Sequence, residues 1–257
     1  MADDAGIVSV KGRVSAEEWQ ARVDLAAVYR LVALYGWDDM IFTHISMRVP
    51  GPDHHFLINP YGMLFDEITA SSLVKIDLEG QVVMPSPYFV NAAGFTIHSA
   101  IHAAREDAIC VIHLHTDAGT AVAAQKEGLL PLTQHCMIAL PNVAYHDYEG
   151  VAFNHDERPR LVQDLGDKHL MILRNHGTLA VGETAGAAFM SMFYLERACA
   201  QQVMALTAGR ENVLLGKPDI QDVVKGQTPP QMMGGAARLA WPALMRRLER
   251  ESPGYDA

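Results

Sequence analysis

The sequence predicts an α/β fold in which helices cover a mixed sheet. Three observations lead there. Strand-like runs come first in local pairs, near residues 44–59 and 73–84, and later runs alternate with stretches of helical spacing. The composition is that of a packed globular chain, 49% hydrophobic and 19% charged over 257 residues. That length buries a full core in one large domain.

Residues 1–14 read as a loose arm, 15–209 as the domain and 210–257 as a C-terminal extension that packs on the domain or on a neighbouring subunit. Ser15-Ala-Glu-Glu18 has the form of a capping box, and Trp19, Val23, Ala26, Ala27, Leu31 and Leu34 follow helical spacing up to Gly36. The runs 44–50 and 55–59 form a predicted hairpin around Gly51-Pro-Asp53, and 73–77 pairs with 81–84. Residues 95–105 have helical spacing, 108–115 reads as a strand, and Asp117 is placed to cap a helix over 118–125. Short strands are expected at 136–140 and 143–145, a helix at 158–165 and a buried strand at 170–173. The turn Asn175-His-Gly177 leads into a strand over 178–181. A long helix over 185–207 stops at Gly209, and a last helix over 236–250 must kink or break at Pro242.

Charge and composition exclude several classes. A formal charge of −10 without a basic run speaks against nucleic acid as a partner. No stretch approaches the length of an apolar membrane span, and the acidic start is unlike a secretory signal. Cys110, Cys136 and Cys199 are odd in number and far apart, as expected for reduced thiols in a cytoplasmic protein.

The twelve histidines are the unusual feature. His113 and His115, one residue apart in an apolar strand, share a face and can converge on one ion if a third ligand comes from elsewhere. His176 fits that role, because Gly177 permits a tight turn and a close backbone approach. Alone, a His-x-His pair is a weak signal. His98 and His102 lie i, i+4 on one helix face, with His102 equally suited to a surface or interface. His54, His55, His155 and His169 fall in polar turns and are expected in solvent.

Together these motifs resemble the class II aldolase/adducin family, and in particular its bacterial adducin-like branch. The resemblance rests on Asn59-Pro-Tyr-Gly62, Ile76-Asp-Leu-Glu-Gly80, Ile97-His-Ser-Ala-Ile-His102, Val111-Ile-His-Leu-His115, His135-Cys-Met-Ile138 and Leu173-Arg-Asn-His-Gly177. It implies a three-layer α/β/α sandwich with a mixed, largely antiparallel sheet, and a homotetramer with active sites at subunit interfaces. It also implies a small-molecule substrate and a divalent metal on His113, His115 and His176. Zinc comes first, and manganese, iron or cobalt also suit three imidazoles.

The departures from the family pattern bear on substrate. The family's sugar-phosphate aldolases carry a Ser-Ser-Glu segment that grips phosphate and supplies the acid/base; here it is Ala92-Ala-Gly94. Thr43-His-Ile-Ser46 replaces a Gly-Asn turn, and Tyr61 stands in a Ser/Thr position. Lost hydroxyls weaken phosphate capture and point to a larger, flatter, non-phosphorylated and even aromatic substrate. The proton shuttle is then sought among His98, His44, Tyr61 and Tyr145, with His135 a further candidate. The expected function is a metal-dependent carbon–carbon lyase of retro-aldol, aldehyde-releasing type, in catabolism of an aromatic-derived compound. The alternatives are decarboxylation of a hydroxyaromatic acid, epimerisation of a sugar phosphate, and an adducin-like interaction module without catalysis. Trp241 and Tyr255 of the extension are candidates to close a site or to pack an interface.

Overall fold

The computed structural model describes residues 8–150, 155–229 and 231–257. In chain order the helices and strands are α1 (Ala16–Leu34), β1 (His44–Arg48), β2 (Phe56–Ile58), β3 (Val74–Ile76), α2 (Ala92–Ala104), β4 (Cys110–Leu114) and α3 (Asp117–Ala123). They continue with α4 (Gln134–Ala139), β5 (Val143–His146), α5 (Arg158–Leu165), β6 (Leu170–Leu173), β7 (Gly177–Gly182), α6 (Ala185–Leu206), α7 (Pro218–Gln227) and α8 (Gln231–Glu251). The strands form one sheet in the order β3-β2-β1-β4-β7-β6-β5. Every neighbouring pair is antiparallel except β5 with β6.

Alternation along the strands divides the core into layers. Ile45, Met47, Cys110, Ile112, Leu114, Ile172 and Ala180 face the side covered by α1 and α6. Val111, Met171, Leu173, Leu179 and Val181 face Ile97 and Ile101 of α2 and Leu161 and Leu165 of α5. A smaller cluster joins Phe56, Ile58, Val74 and Ile76 to Phe95. The result is the expected three-layer α/β/α sandwich.

Four hydroxyl caps start the helices on the first side. Ser15, Thr116, Thr133 and Thr184 accept from the backbone N–H groups of Glu18, Gly119, Cys136 and Ala187, each worth about 1 kcal/mol. These caps overturn two expectations. Thr116, not Asp117, caps α3. Residues 134–139 are helical, because the Thr133 hydroxyl captures the Cys136 N–H and turns the chain where its apolar run suggested a strand.

Other differences are smaller. Residues 81–84 contribute a single bridge, Ile76 with Val82, in place of a full strand. The arm is partly tied down: Val10 is buried and its N–H donates to Ser71 Oγ. Residues 1–7 lie outside the described residues. Helix α8 runs through Pro242, which sits on its exposed side.

The C-terminal segment packs on this same chain. Helix α8 lies against α6 and α1, Leu248 and Tyr255 enter the core, and the Trp241 ring lies against Gly186. The carbonyls of Tyr255 and Ala257 accept from the N–H groups of Ala70 and Ser71. Among the described residues neither Trp241 nor Tyr255 makes a ring contact with a histidine.

Candidate metal centre

The ends of β4 and β7 bring His113, His115 and His176 together, with their ligand atoms all within 4.8 Å of one another. His113 is the last but one residue of β4, His115 follows the strand, and His176 closes the three-residue turn between β6 and β7. That turn works because Asn175 adopts φ 55°, a left-handed conformation that its short polar side chain tolerates. Gly177 serves the second of its two expected purposes. Its φ is ordinary, but a Cβ there would lie 2.4 Å from the Leu114 carbonyl oxygen and 3.0 Å from the His115 ring. Close approach of β7 to β4 is what demands glycine.

Hydrogen bonds fix the tautomers at this centre. His113 Nδ1–H donates to the Thr178 carbonyl at 3.0 Å, and His115 Nδ1–H donates to Asp39 Oδ2 at 3.1 Å. Both acceptors lack a proton to give, so in the neutral rings each Nε2 carries a bare lone pair. Those two Nε2 atoms stand 3.0 Å apart. Facing lone pairs repel unless a cation lies between them. Burial, then neighbouring imidazoles, hold His113 well below the ordinary histidine range, and burial with His115 lowers His176 to about 4. A proton on His113 or His176 is therefore disfavoured. A divalent ion fits, since nitrogens about 2.0–2.1 Å from a tetrahedral zinc lie roughly 3.3 Å apart.

A second chain of imidazoles lies in the same layer. Because Ile45 and Met47 face α1 and α6, the alternate residues His44 and Ser46 face α2. His44 is the cross-strand partner of His113, and their rings stack at 6.1 Å. His102 Nδ1–H donates to the Ala108 carbonyl at 2.8 Å, which leaves His102 Nε2 to accept the Ser46 hydroxyl at 2.7 Å. The Ser46 oxygen must then accept from His98 Nδ1–H at 2.6 Å. His98 Nε2 is left bare and buried, without a hydrogen-bond partner among the described residues, and its ring meets His44 edge-on at 5.6 Å. Burial, then His44 and His102, keep His98 neutral well below the ordinary range; burial, then His115 and His176, lower His44 to about 3. The buried atoms Thr43 Oγ1 and His44 Nδ1 also lack hydrogen-bond partners among the described residues.

Of the proposed proton carriers, the structure thus brings His98 and His44 to the triad. Tyr61 is 40% exposed and no hydrogen bond or ring contact joins its side chain to the imidazoles; its backbone N–H donates to Phe89. The Tyr145 hydroxyl is occupied by the Leu129 N–H at 3.0 Å, with Arg174 over its ring. His135 bonds to Gln201 and packs on Tyr194. His102, expected equally at a surface, is 1% exposed and anchors the Ser46 relay. His54 is exposed, His55 and His169 are half-buried, and the His155 side chain lies outside the described residues.

Sequence reasoning missed four residues at these sites. Asp39 orients His115 from a loop in which Met40 and Thr43 adopt positive φ of 52° and 65°. Tyr148, 51% exposed, meets the His176 ring at 6.0 Å. Ser46 and Glu196 are ordinary residues of a strand and a helix until the fold places them beside histidines and threonines. The serine could have been found from the alternation that also selects His44.

Comparison with known proteins agrees with this fold. The family profile described as class II aldolase and adducin N-terminal domain matches residues 23–203. The chain is 67% identical over 256 residues to a Caulobacter vibrioides protein named "Putative aldolase class 2 protein", covering 99% of both. It is 47% identical to alpha-adducin of Rattus norvegicus over 202 residues, 77% of this chain and 27% of that one. Among solved structures, an aldolase II superfamily protein from Pseudomonas syringae superposes with TM-score 0.92 at 50% identity, over 97% of this chain and 100% of the other. L-fuculose 1-phosphate aldolase from Glaciozyma antarctica PI12 gives TM-score 0.81 at 28% identity, over 92% and 93%. With a profile spanning most of its length and relatives similar from end to end, the chain belongs to the class II aldolase and adducin family.

Proposed function

We propose that this chain is a metal-dependent carbon–carbon lyase acting on a non-phosphorylated hydroxy or hydroxy-carbonyl compound. The observation that carries it is the convergence of His113, His115 and His176, with the Nε2 atoms of His113 and His115 3.0 Å apart and the Nδ1 of each bonded to an acceptor. His113, His115 and His176 would hold the ion, with zinc first among divalent metals suited to neutral imidazoles. Bound there, it would supply Lewis-acid stabilisation of negative charge developing on a substrate oxygen as the carbon–carbon bond breaks.

The chain's own groups do the rest. Asp39 and the Thr178 carbonyl hold two rings in place. His98, with a bare Nε2 and a relay through Ser46 to His102, is the group assigned to take up a proton, and His44 lies between it and the triad. Ala92, Ala93 and Gly94, in the first turn of α2, offer neither hydroxyl nor carboxylate, which supports a substrate without phosphate. Retro-aldol cleavage and decarboxylation of a hydroxyaromatic acid draw on the same groups. A homotetramer with interfacial sites and a cytoplasmic location belong to this reading; no helix among the described residues is long and apolar enough to cross a membrane.

Identity to alpha-adducin favours a second reading, an interaction module that retains the fold without catalysis. Metal analysis separates the two. About one ion per chain, absent from a His113→Ala/His115→Ala variant that still folds, is the expected result. A wild-type protein that takes up no zinc, manganese, iron or cobalt on titration would support the module. Strong turnover of a sugar phosphate, with none of hydroxyaromatic aldols or acids, would overturn the substrate assignment.

A further inference from the structure

We infer that Glu196 is a positioning residue for the histidine centre, one buried carboxylate holding the two strand ends that carry the three imidazoles. The inference rests on the metal reading of the triad given above. Glu196 lies on α6 and is 3% exposed. Its Oε2 accepts the Thr116 hydroxyl at 2.5 Å and its Oε1 accepts the Thr178 hydroxyl at 2.9 Å. Thr116 directly follows His115 at the end of β4. Thr178 lies two residues beyond His176, and its carbonyl receives the His113 Nδ1–H. Both ligand-bearing ends are therefore tied to one side chain on one rigid helix.

The surroundings say that this carboxylate is more than filler. Among the described residues no basic side chain forms an ion pair with it, and burial pushes its carboxyl above the ordinary range against the two threonine hydrogen bonds. A cation held by the three imidazoles would favour the ionised form of this carboxyl. The cluster is also tightly packed. A Cβ on Gly119 would lie 2.8 Å from Thr116 Oγ1, 2.9 Å from Thr178 Cγ2 and 3.0 Å from Glu196 Oε1. No room remains for even one methyl group, so the threonines cannot drift from the carboxylate. Outer partners that orient ligands in this way commonly set metal affinity.

The test is zinc affinity of the full chain, measured near neutral pH by competition with a chromophoric chelator. Glu196→Gln keeps the volume and removes the charge; Thr178→Val removes one hydroxyl and keeps the strand. Both are expected to weaken zinc by about 10–100-fold. Ile76→Ala, in the separate cluster at the β3 edge of the sheet, is expected to lower the melting temperature while binding zinc as wild type does. Affinity within about twofold of wild type in both site variants overturns the inference, as does an equal loss in Ile76→Ala, which would mark general loosening. If Glu196→Gln does not fold, Thr178→Val decides. Wild type and His113→Ala binding zinc equally would overturn the metal reading itself; a loss in His113→Ala with none at Glu196 and Thr178 overturns only the role of Glu196.

Discussion

Gly177→Ala is the sharpest single perturbation of the centre, because it adds one methyl group where two strands are closest. The new Cβ would lie 2.4 Å from the Leu114 carbonyl oxygen, with His115 Cδ2 at 3.0 Å and His113 Cε1 at 3.4 Å. A comfortable carbon–oxygen contact is about 3.3 Å, so the strands must part by roughly 0.9 Å. Overpacking costs about 1–3 kcal/mol, and a backbone oxygen cannot rotate aside, which places this site near the upper end. Reduced freedom of the unfolded chain returns about 0.4–1 kcal/mol. The net expectation is a loss of about 2 kcal/mol, which a domain stable by about 5–15 kcal/mol survives. Because β4 and β7 carry the triad, the same displacement should spread its nitrogens and weaken zinc at least about tenfold. Urea unfolding of the metal-free protein measures the first effect and chelator competition the second. Gly226→Ala in α7 is the control: its added Cβ meets nothing within 4 Å, and it should gain about 0.5–1 kcal/mol. A Gly177→Ala protein within about 0.5 kcal/mol of wild type, with unchanged zinc affinity, would refute the close-approach argument.

Two further outcomes follow from burial. Burial lowers His102 to about 3. An unfolded histidine titrates near 6.5, so below that pH the unfolded chain binds a proton that the fold refuses. Stability is full above pH 6.5 and falls as pH drops toward 3, by about 2 kcal/mol at pH 5 from this group alone. Urea unfolding at pH 7 and pH 5 should show a smaller drop in His102→Gln than in wild type; equal drops would remove His102 from the account. The thiols give the other test. Cys110, Cys136 and Cys199 are all buried, and burial raises Cys110 and Cys199 above the ordinary thiol range. A thiol reagent should modify none in the native protein and all three after denaturation. Rapid modification of one native cysteine would show an opening that the fold does not contain.

Much of the scaffold was legible because local chemistry and tertiary fate agree. Residues 158–165 and 170–173 are helix and strand with the bounds their patterns predict, and Ser15 caps α1 as its sequence suggests. The triad was legible because strand alternation puts His113 and His115 on one side and a turn delivers His176. Residues 134–139 were misread because a run of apolar residues has no period until its cap is known. His102 was misread because i, i+4 spacing states which face two residues share and not what covers that face; Ser46 and Ala108 cover it. Asp39, Tyr148 and Glu196 act across 76, 28 and 80 residues of chain. Nothing in the local pattern of a loop or helix encodes such a partner.

The alternation along β4 has a consequence for how this fold can change. Cys110, Ile112 and Leu114 serve the side of the sheet that supplies most of the core, while His113 points into the candidate metal centre on the other. The two obligations fall on different residues of one strand and are free to drift separately. Exchanging the buried imidazoles for apolar side chains of similar volume would remove groups that are costly to bury and leave the larger core intact. Such a chain should be more stable and inert. Shedding the proposed reaction would thus be an easy direction for this architecture, since the buried histidines are a burden on folding.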